Sequence, residues 1–144
     1  MASLALDHIT VVDTTPIELA AVAAQTGCDG VCIFLHSMPD ALPRLPEYNL
    51  VTDIAARRET RKVCAVLGIA IDLAYPFTLA ARTDIAAFEP ALAASAELGA
   101  PAVNALLYDR DPARRVDRFG AFCDMAKGFG LEVVVEFYPP SQIK

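Results

Sequence analysis

The sequence predicts an α/β protein, a parallel (β/α) barrel of the TIM type of which the first five strands and four helices are present. Three observations predict it. Short apolar, β-branched stretches alternate with helical ones at a repeat of roughly thirty residues, the length that βαβ units require. Each helical stretch stops at a glycine, namely Gly27, Gly68, Gly99 or Gly130, the residue that best takes the left-handed conformation after a helix. Finally, every strand carries a polar or ionisable group on one and the same alternate phase. An open, doubly wound sheet has helices on both faces and would not want that phase polar.

The elements follow in order. Strand one is read from about Leu4 to Val12. Thr15-Pro16-Ile17-Glu18 then forms a capping box with proline at the first helical position, and the helix runs to Gly27. Strand two is Gly30–His36. The segment between His36 and Asn49 holds three prolines and no apolar period, so it is a long loop of the kind that often covers a site. Helix two runs from about Asp53 to Leu67, and its RRETRK segment reads as a solvated face. Strand three is Ile69–Leu73, with Tyr75 as its furthest reach before Pro76. Helix three lies between Asp84 and Leu98, where Pro90 marks a kink or a second start. Strand four is Ala102–Tyr108. Helix four opens at Asp111-Pro112 and runs to about Phe129. Strand five is LEVVVEFYP, Leu131–Pro139.

Composition bounds the function. The chain has 144 residues, read as one domain over 1–144, with 55% apolar and 21% charged residues. That is a globular composition and not a disordered one. A formal charge of −6 without a basic run makes a poor partner for duplex nucleic acid or an anionic membrane. No apolar run is long enough to span a bilayer, and MASLALDHIT lacks the basic and apolar regions of a secretory signal. Cys28, Cys32, Cys64 and Cys123 form neither a CxxC pair nor a zinc pattern. They read as reduced, mostly buried residues of a cytoplasmic protein.

The polar phase locates a candidate site. With Ile9, Val11, Val31, Ile33, Leu35, Ile69, Ile71, Leu73, Val103, Ala105, Leu107, Leu131, Val133 and Val135 facing the helices, the opposite phase holds His8, Thr10, Cys32, Phe34, His36, Asp72, Asn104, Tyr108, Val134 and Glu136. A lone histidine is more often a satisfied core residue than a ligand. Polar groups in phase on five strands point to a lined pocket. Glu136 stands out, because a carboxylate at the carboxyl end of a parallel strand lies where barrel enzymes place their chemistry.

The stretches PIELAAVAAQTGCDGVCI, TRKVCAVLGIAI, PALAASAELGAPAVNALLYDRD and DRFGAFCDMAKGFGLEVVVEF resemble the xylose isomerase-like TIM-barrel superfamily, in its sugar phosphate isomerase/epimerase branch. The resemblance spans nearly the whole chain and matches the first five strands of the family barrel. It implies that Glu136 ligates a divalent metal (manganese, magnesium or zinc) and helps bind or deprotonate the substrate. Such a metal would polarise a carbonyl or hydroxyl beside the C–H bond that breaks. Cys32 stands where the family often has an acidic residue. The family's other metal ligands lie on strands six to eight.

The expected activity is therefore a metal-dependent isomerase or epimerase of a sugar-like hydroxy-carbonyl compound. Glu136 is the acid/base residue and metal ligand, and His8, His36, Asp72, Asn104 and Tyr108 line the substrate pocket. A dehydratase or lyase on the same scaffold needs the same proton abstraction. A non-catalytic partial barrel that self-associates is the alternative from another class. Strands one and five would each present an unpaired edge, and Leu6, Phe34, Leu106 and Val134 would lack an opposite wall. The expectation is a homo-oligomer or completion by a C-terminal half, binding a small molecule and neither nucleic acid nor membrane.

Overall fold

A computed structural model describes residues 3–37 and 46–136. The order is β1 (Ala5–Asp7), a 3-10 turn (His8–Val11), α1 (Pro16–Thr26), β2 (Gly30–Phe34), α2 (Ile54–Leu67), β3 (Ala70–Tyr75), β4 (Thr78–Leu79), a 3-10 turn (Ala86–Phe88), α3 (Glu89–Leu98), β5 (Ala102–Leu107), α4 (Pro112–Gly128) and β6 (Glu132–Val135). Every strand pairing is parallel. β3 pairs with the first half of β5 through Ala74 and Val103. β4 pairs with its second half, Thr78 with Leu106 and Leu79 with Leu107. β3 and β4 are thus two pieces of one barrel strand, separated by the cis-bonded Pro76 and by Phe77. The six segments make five barrel strands, in the predicted order.

The caps work as the sequence predicts. Thr15 Oγ1 accepts from the Glu18 amide at 3.3 Å, and the Glu18 carboxylate in turn accepts from the Thr15 amide at 2.7 Å. Asp53 accepts from the Ala56 amide and Asp111 from the Arg114 amide, each at 2.9 Å. Pro90 sits in the first turn of α3, after a separate 3-10 turn whose Ala86 amide donates to the preceding Asp84 carboxylate. It marks a second start, because proline lacks the amide that a helix interior needs.

All four helices pack on one face of the sheet. Leu19 and Ala23 of α1, Cys64 of α2, Leu92 and Leu98 of α3, and Phe122 and Ala126 of α4 share one cluster with Val31, Ile33, Ile71, Val103 and Ala105. Phe77, Phe88 and Phe122 meet at ring-centroid separations of 5.2–5.6 Å. Burying one such ring contributes roughly 1.5–3 kcal/mol. This one-sided packing is what a barrel requires, since the other face is its interior.

Four expectations are corrected. β1 stops at Asp7 and does not run to Val12, because Asp7 accepts from the Ile9 amide at 3.0 Å and Thr10 Oγ1 donates to the Asp7 carbonyl at 2.6 Å. Such local side-chain bonds offer the backbone an alternative to the ladder. The phase of β1 is also inverted. Leu6 packs with the helix-side core, Asp7 pairs in register with Cys32, and Ile9 and Thr10 are exposed.

The third correction lies in β3, which bulges between Ile71 and Leu73 and leaves Asp72 as the extra residue. Ala74 therefore enters the helix-side core, while Leu73 falls opposite Cys32. Gly30 permits this, because a Cβ there would lie 2.3 Å from Asp72 Oδ2. The fourth concerns RRETRK, which is not wholly solvated. Arg57 and Thr60 are buried, and Arg57 binds Glu97 of α3 and the Leu50 carbonyl. Of the cysteines, Cys64 is buried and the other three are half-buried thiols.

Candidate functional site

The predicted site residues fall into five places. Glu136 follows β6 directly, and its amide donates to the Ala105 carbonyl at 3.2 Å. That bond extends the β5–β6 ladder by one step and aims the glutamate from the carboxyl end of the sheet. Asn104, in the middle of β5, is buried, and its Nδ2 donates to Glu136 Oε2 at 2.6 Å. The structure thus brings together two of the six predicted residues, 32 positions apart in the chain.

His8 has a different role from the one expected. It is fully buried; its Nε2 donates to the Thr14 carbonyl at 3.0 Å and its Nδ1 accepts from the Phe34 amide at 3.3 Å. Both nitrogens are in use, which assigns the neutral Nε2–H tautomer. Burial pushes its pKa below the usual 6.5, partly offset by the Thr14 bond and the Asp7 charge. His8 ties the turn after β1 to β2 and is a structural residue with no free ring nitrogen for a ligand.

His36 closes β2. It bridges Asn49 across the base of the long loop, and its Nδ1 lies 3.0 Å from the Ser37 carbonyl. With Ser37, Glu47, Tyr48 and Asn49 it lines an open concavity of about 500 Å3. Tyr48 stacks on His8 with centroids 5.9 Å apart, so His8 supports that concavity from below. Residues 38–45 of the loop, and its expected role as a cover, lie outside the described residues.

Tyr108 lies in a second concavity, of about 510 Å3, with Ala80, Ala81, Arg82, Asp109, Arg110 and Arg114. There Arg114 grips the buried Asp109 with a two-pronged bond of 2.5 and 2.7 Å, and that bond pulls the carboxyl below its usual range.

Asp72 is half-buried above Gly30, in a group the sequence reading missed. Tyr75 donates a short hydrogen bond to Asp7 Oδ1, across β2. Burial, then Asp7 and Asp72, push the Cys32 thiol up to about 11. Cys32 is thus a protonated thiol and not a nucleophile. Tyr75 is likewise pushed far up, by burial first and then by the Asp7 bond. Asp7 and Tyr75 were missed because strand one, read on to Val12 and one residue out of phase, turned Asp7 outward. No periodicity in a three-residue strand corrects that.

Glu136 offers hard carboxylate oxygens, which suit magnesium, manganese or zinc. Among the described residues, however, no three His, Cys, Asp or Glu side chains come together to hold a metal ion. The described residues do not by themselves form a metal centre. Also among them, no helix is long and apolar enough to cross a membrane.

No protein-family model matches the chain, and no curated protein matches it. Solved structures do. The D-psicose 3-epimerase, solved in the presence of D-fructose, aligns with a TM-score of 0.72 at 16% identity, over 99% of this chain and 55% of its own. A protein from Parabacteroides distasonis ATCC 8503 described as uncharacterised aligns at 0.72 and 15%, over 96% and 54%. A sugar phosphate isomerase/epimerase from the same organism aligns at 0.61 and 18%, over 92% and 50%. The chain spans about half the length of these three proteins, and at such identities the likeness is one of fold. The single helical layer, the all-parallel strand pairing and these alignments agree: the chain has the fold of a TIM barrel, over its first five strands.

Proposed function

We propose that the chain forms part of an isomerase or epimerase acting on a sugar-like hydroxy-carbonyl compound, with Glu136 as the proton acceptor. The observation that carries this reading is the Glu136 carboxylate at the carboxyl end of β6, held by Asn104 Nδ2 at 2.6 Å. Support also comes from structural neighbours described as D-psicose 3-epimerase and sugar phosphate isomerase/epimerase. A carboxylate fixed on one oxygen presents its other oxygen in a defined direction, and such positioning matters for proton transfer. In the proposed step a C–H bond beside the substrate carbonyl breaks. Its proton goes to Glu136, and its electron pair moves into the carbonyl to give an enediolate. Delivery of a proton to the other face of that carbon, from a donor outside the described residues, gives the epimer. Return of the Glu136 proton to the neighbouring carbon gives the isomer.

Of the other candidates, His36 and Tyr108 line the two separate concavities, and Asp72 lies above Gly30. Glu136 is also assigned as one ligand of a divalent cation whose remaining ligands lie outside the described residues. When bound, such an ion polarises the substrate oxygens. The test is conversion of free ketoses and aldoses, D-fructose included, by the intact protein with and without added divalent salt, alongside Glu136→Gln. Epimer or isomer formed by the wild type and lost in the variant supports the reading. Loss of water from the substrate assigns a dehydratase in its place, and conversion by the variant at the wild-type rate removes Glu136 from the chemistry.

A further inference from the structure

Asn104 is 2% exposed, and its two polar ends are treated differently. Glu136 Oε2 is an acceptor, so the group facing it at 2.6 Å must be the amide nitrogen, and the side chain cannot be turned over. That fixes Oδ1 as the opposite end. Oδ1 is buried and has no hydrogen-bond partner among the described residues. Buried acceptors without donors are rare in native proteins, because the lost hydration is not replaced. The neighbours of Asn104 along the strand, Val103 and Ala105, are fully buried on the helix side, and its partner in register on β6 is Val134. None of these side chains carries a donor. Oδ1 also belongs to the same amide as the nitrogen that holds Glu136, so whatever donates to it stands beside that carboxylate.

Resting on the reading of Glu136 as proton acceptor, we infer that Asn104 Oδ1 accepts a hydrogen bond from a free hydroxyl of the substrate, next to the carbon that Glu136 deprotonates. Asn104 then does two things at once. Its nitrogen aims the base and its oxygen sets the substrate against it. The substrate class narrows accordingly: a hydroxyl at that position satisfies Oδ1, whereas a deoxy, O-alkyl or O-phosphoryl group there carries no donor. Sites built to pair a substrate hydroxyl discriminate strongly against analogues that lack it.

The experiment is an NMR titration of the intact, isotopically labelled protein with a panel of free ketoses and aldoses that includes D-fructose, read at the Asn104 side-chain carbonyl carbon and amide nitrogen. Binding is measured in parallel for Asn104→Leu, which has similar bulk and neither polar atom. The expected result is a saturable shift of the Asn104 carbonyl signal that follows binding, with affinity lowered about ten- to a hundredfold in the variant. Should Asn104→Leu fail to fold, the wild-type titration alone decides. A sugar that binds without moving the Asn104 carbonyl overturns the inference, leaving an ordered water as the partner of Oδ1, and does not touch the role of Glu136. If no sugar in the panel binds, the functional reading falls, and this inference falls with it.

Discussion

His8 gives the sharpest prediction about the fold, because a residue expected in the pocket is a buried clasp. Its ring is fully buried, with one nitrogen on the Thr14 carbonyl and the other on the Phe34 amide. Protonation would place a charge in the core and turn Nδ1 into a donor facing a donor. Burial therefore lowers the folded pKa below the usual 6.5. The unfolded chain then binds more protons than the folded one, so stability rises with pH. The contribution is fully present above about pH 6.5 and is lost as pH falls below it. Each pH unit below that value removes up to about 1.4 kcal/mol until the folded pKa is reached. Between pH 8 and pH 5 the loss is at most about 2 kcal/mol, or roughly 8 °C in Tm for a chain of this size.

The assay is urea unfolding of the full chain at half-unit pH steps from 8 to 5, for the wild type and His8→Phe. The variant keeps a ring against Tyr48 but strands the Thr14 carbonyl and the Phe34 amide, so it is less stable at every pH, by about 1–3 kcal/mol for each group. It also lacks the His8 pH slope. The chain has two histidines, and His36 remains in both proteins as an internal control. Equal slopes in the two proteins would refute the placement of His8 as a neutral clasp.

Other substitutions test other parts of the architecture. Gly30→Ala puts a Cβ 2.3 Å from Asp72 Oδ2 and is expected to destabilise by about 1–3 kcal/mol; adding Asp72→Gly should restore much of the loss, and strictly additive effects in a double-mutant cycle would contradict the bulge. Phe122→Ala empties the centre of the Phe77–Phe88–Phe122 cluster and should cost about 3–5 kcal/mol in denaturant unfolding, where a loss below about 1 kcal/mol would place the ring elsewhere. Asp109→Asn removes the carboxylate that Arg114 grips. Arg114 holds the Asp109 carboxyl below its usual 3.8, so that stabilisation is present above that value and lost as pH falls through the lower folded one. The variant should be less stable at neutral pH and converge on the wild type in strong acid, and a gap constant with pH would refute the pairing.

Much of the barrel was legible because it is written in features that local physics decides. The capping box at Thr15 and Glu18, the glycines after the helices and the proline at the start of α4 each fix a boundary without help from the rest of the chain. The helix-side phase of β2, β5 and β6 was equally plain, since Val31, Ile33, Val103, Ala105, Leu131 and Val133 alternate strictly. What failed depended on events that alternation does not encode. Asp7 and Thr10 bonded to the local backbone and ended β1 early, which turned His8 into the core and Asp7 toward Tyr75. The bulge at Asp72 shifted β3 by one residue, so that Ala74 and not Leu73 packs under the helices. In the candidate site, Asn104 and Glu136 come together because both follow the phase that the sequence predicts for their strands. Tyr108 follows β5 where β4, a two-residue strand beyond Pro76, pairs with its end, and it lines the concavity there.

The central claim is that Glu136, steadied by Asn104, removes a proton from a carbon beside a carbonyl. The direct measurement is the exchange of that carbon-bound hydrogen with deuterium from the solvent, followed by NMR of the sugar in the presence of the intact protein and of Glu136→Gln at equal concentration. The account predicts deuterium entering the wild-type reaction at a single carbon, with the rate in the variant lower by about a hundred- to ten-thousandfold. Exchange at the same rate in both proteins, or conversion of the sugar without any deuterium at carbon, would contradict it.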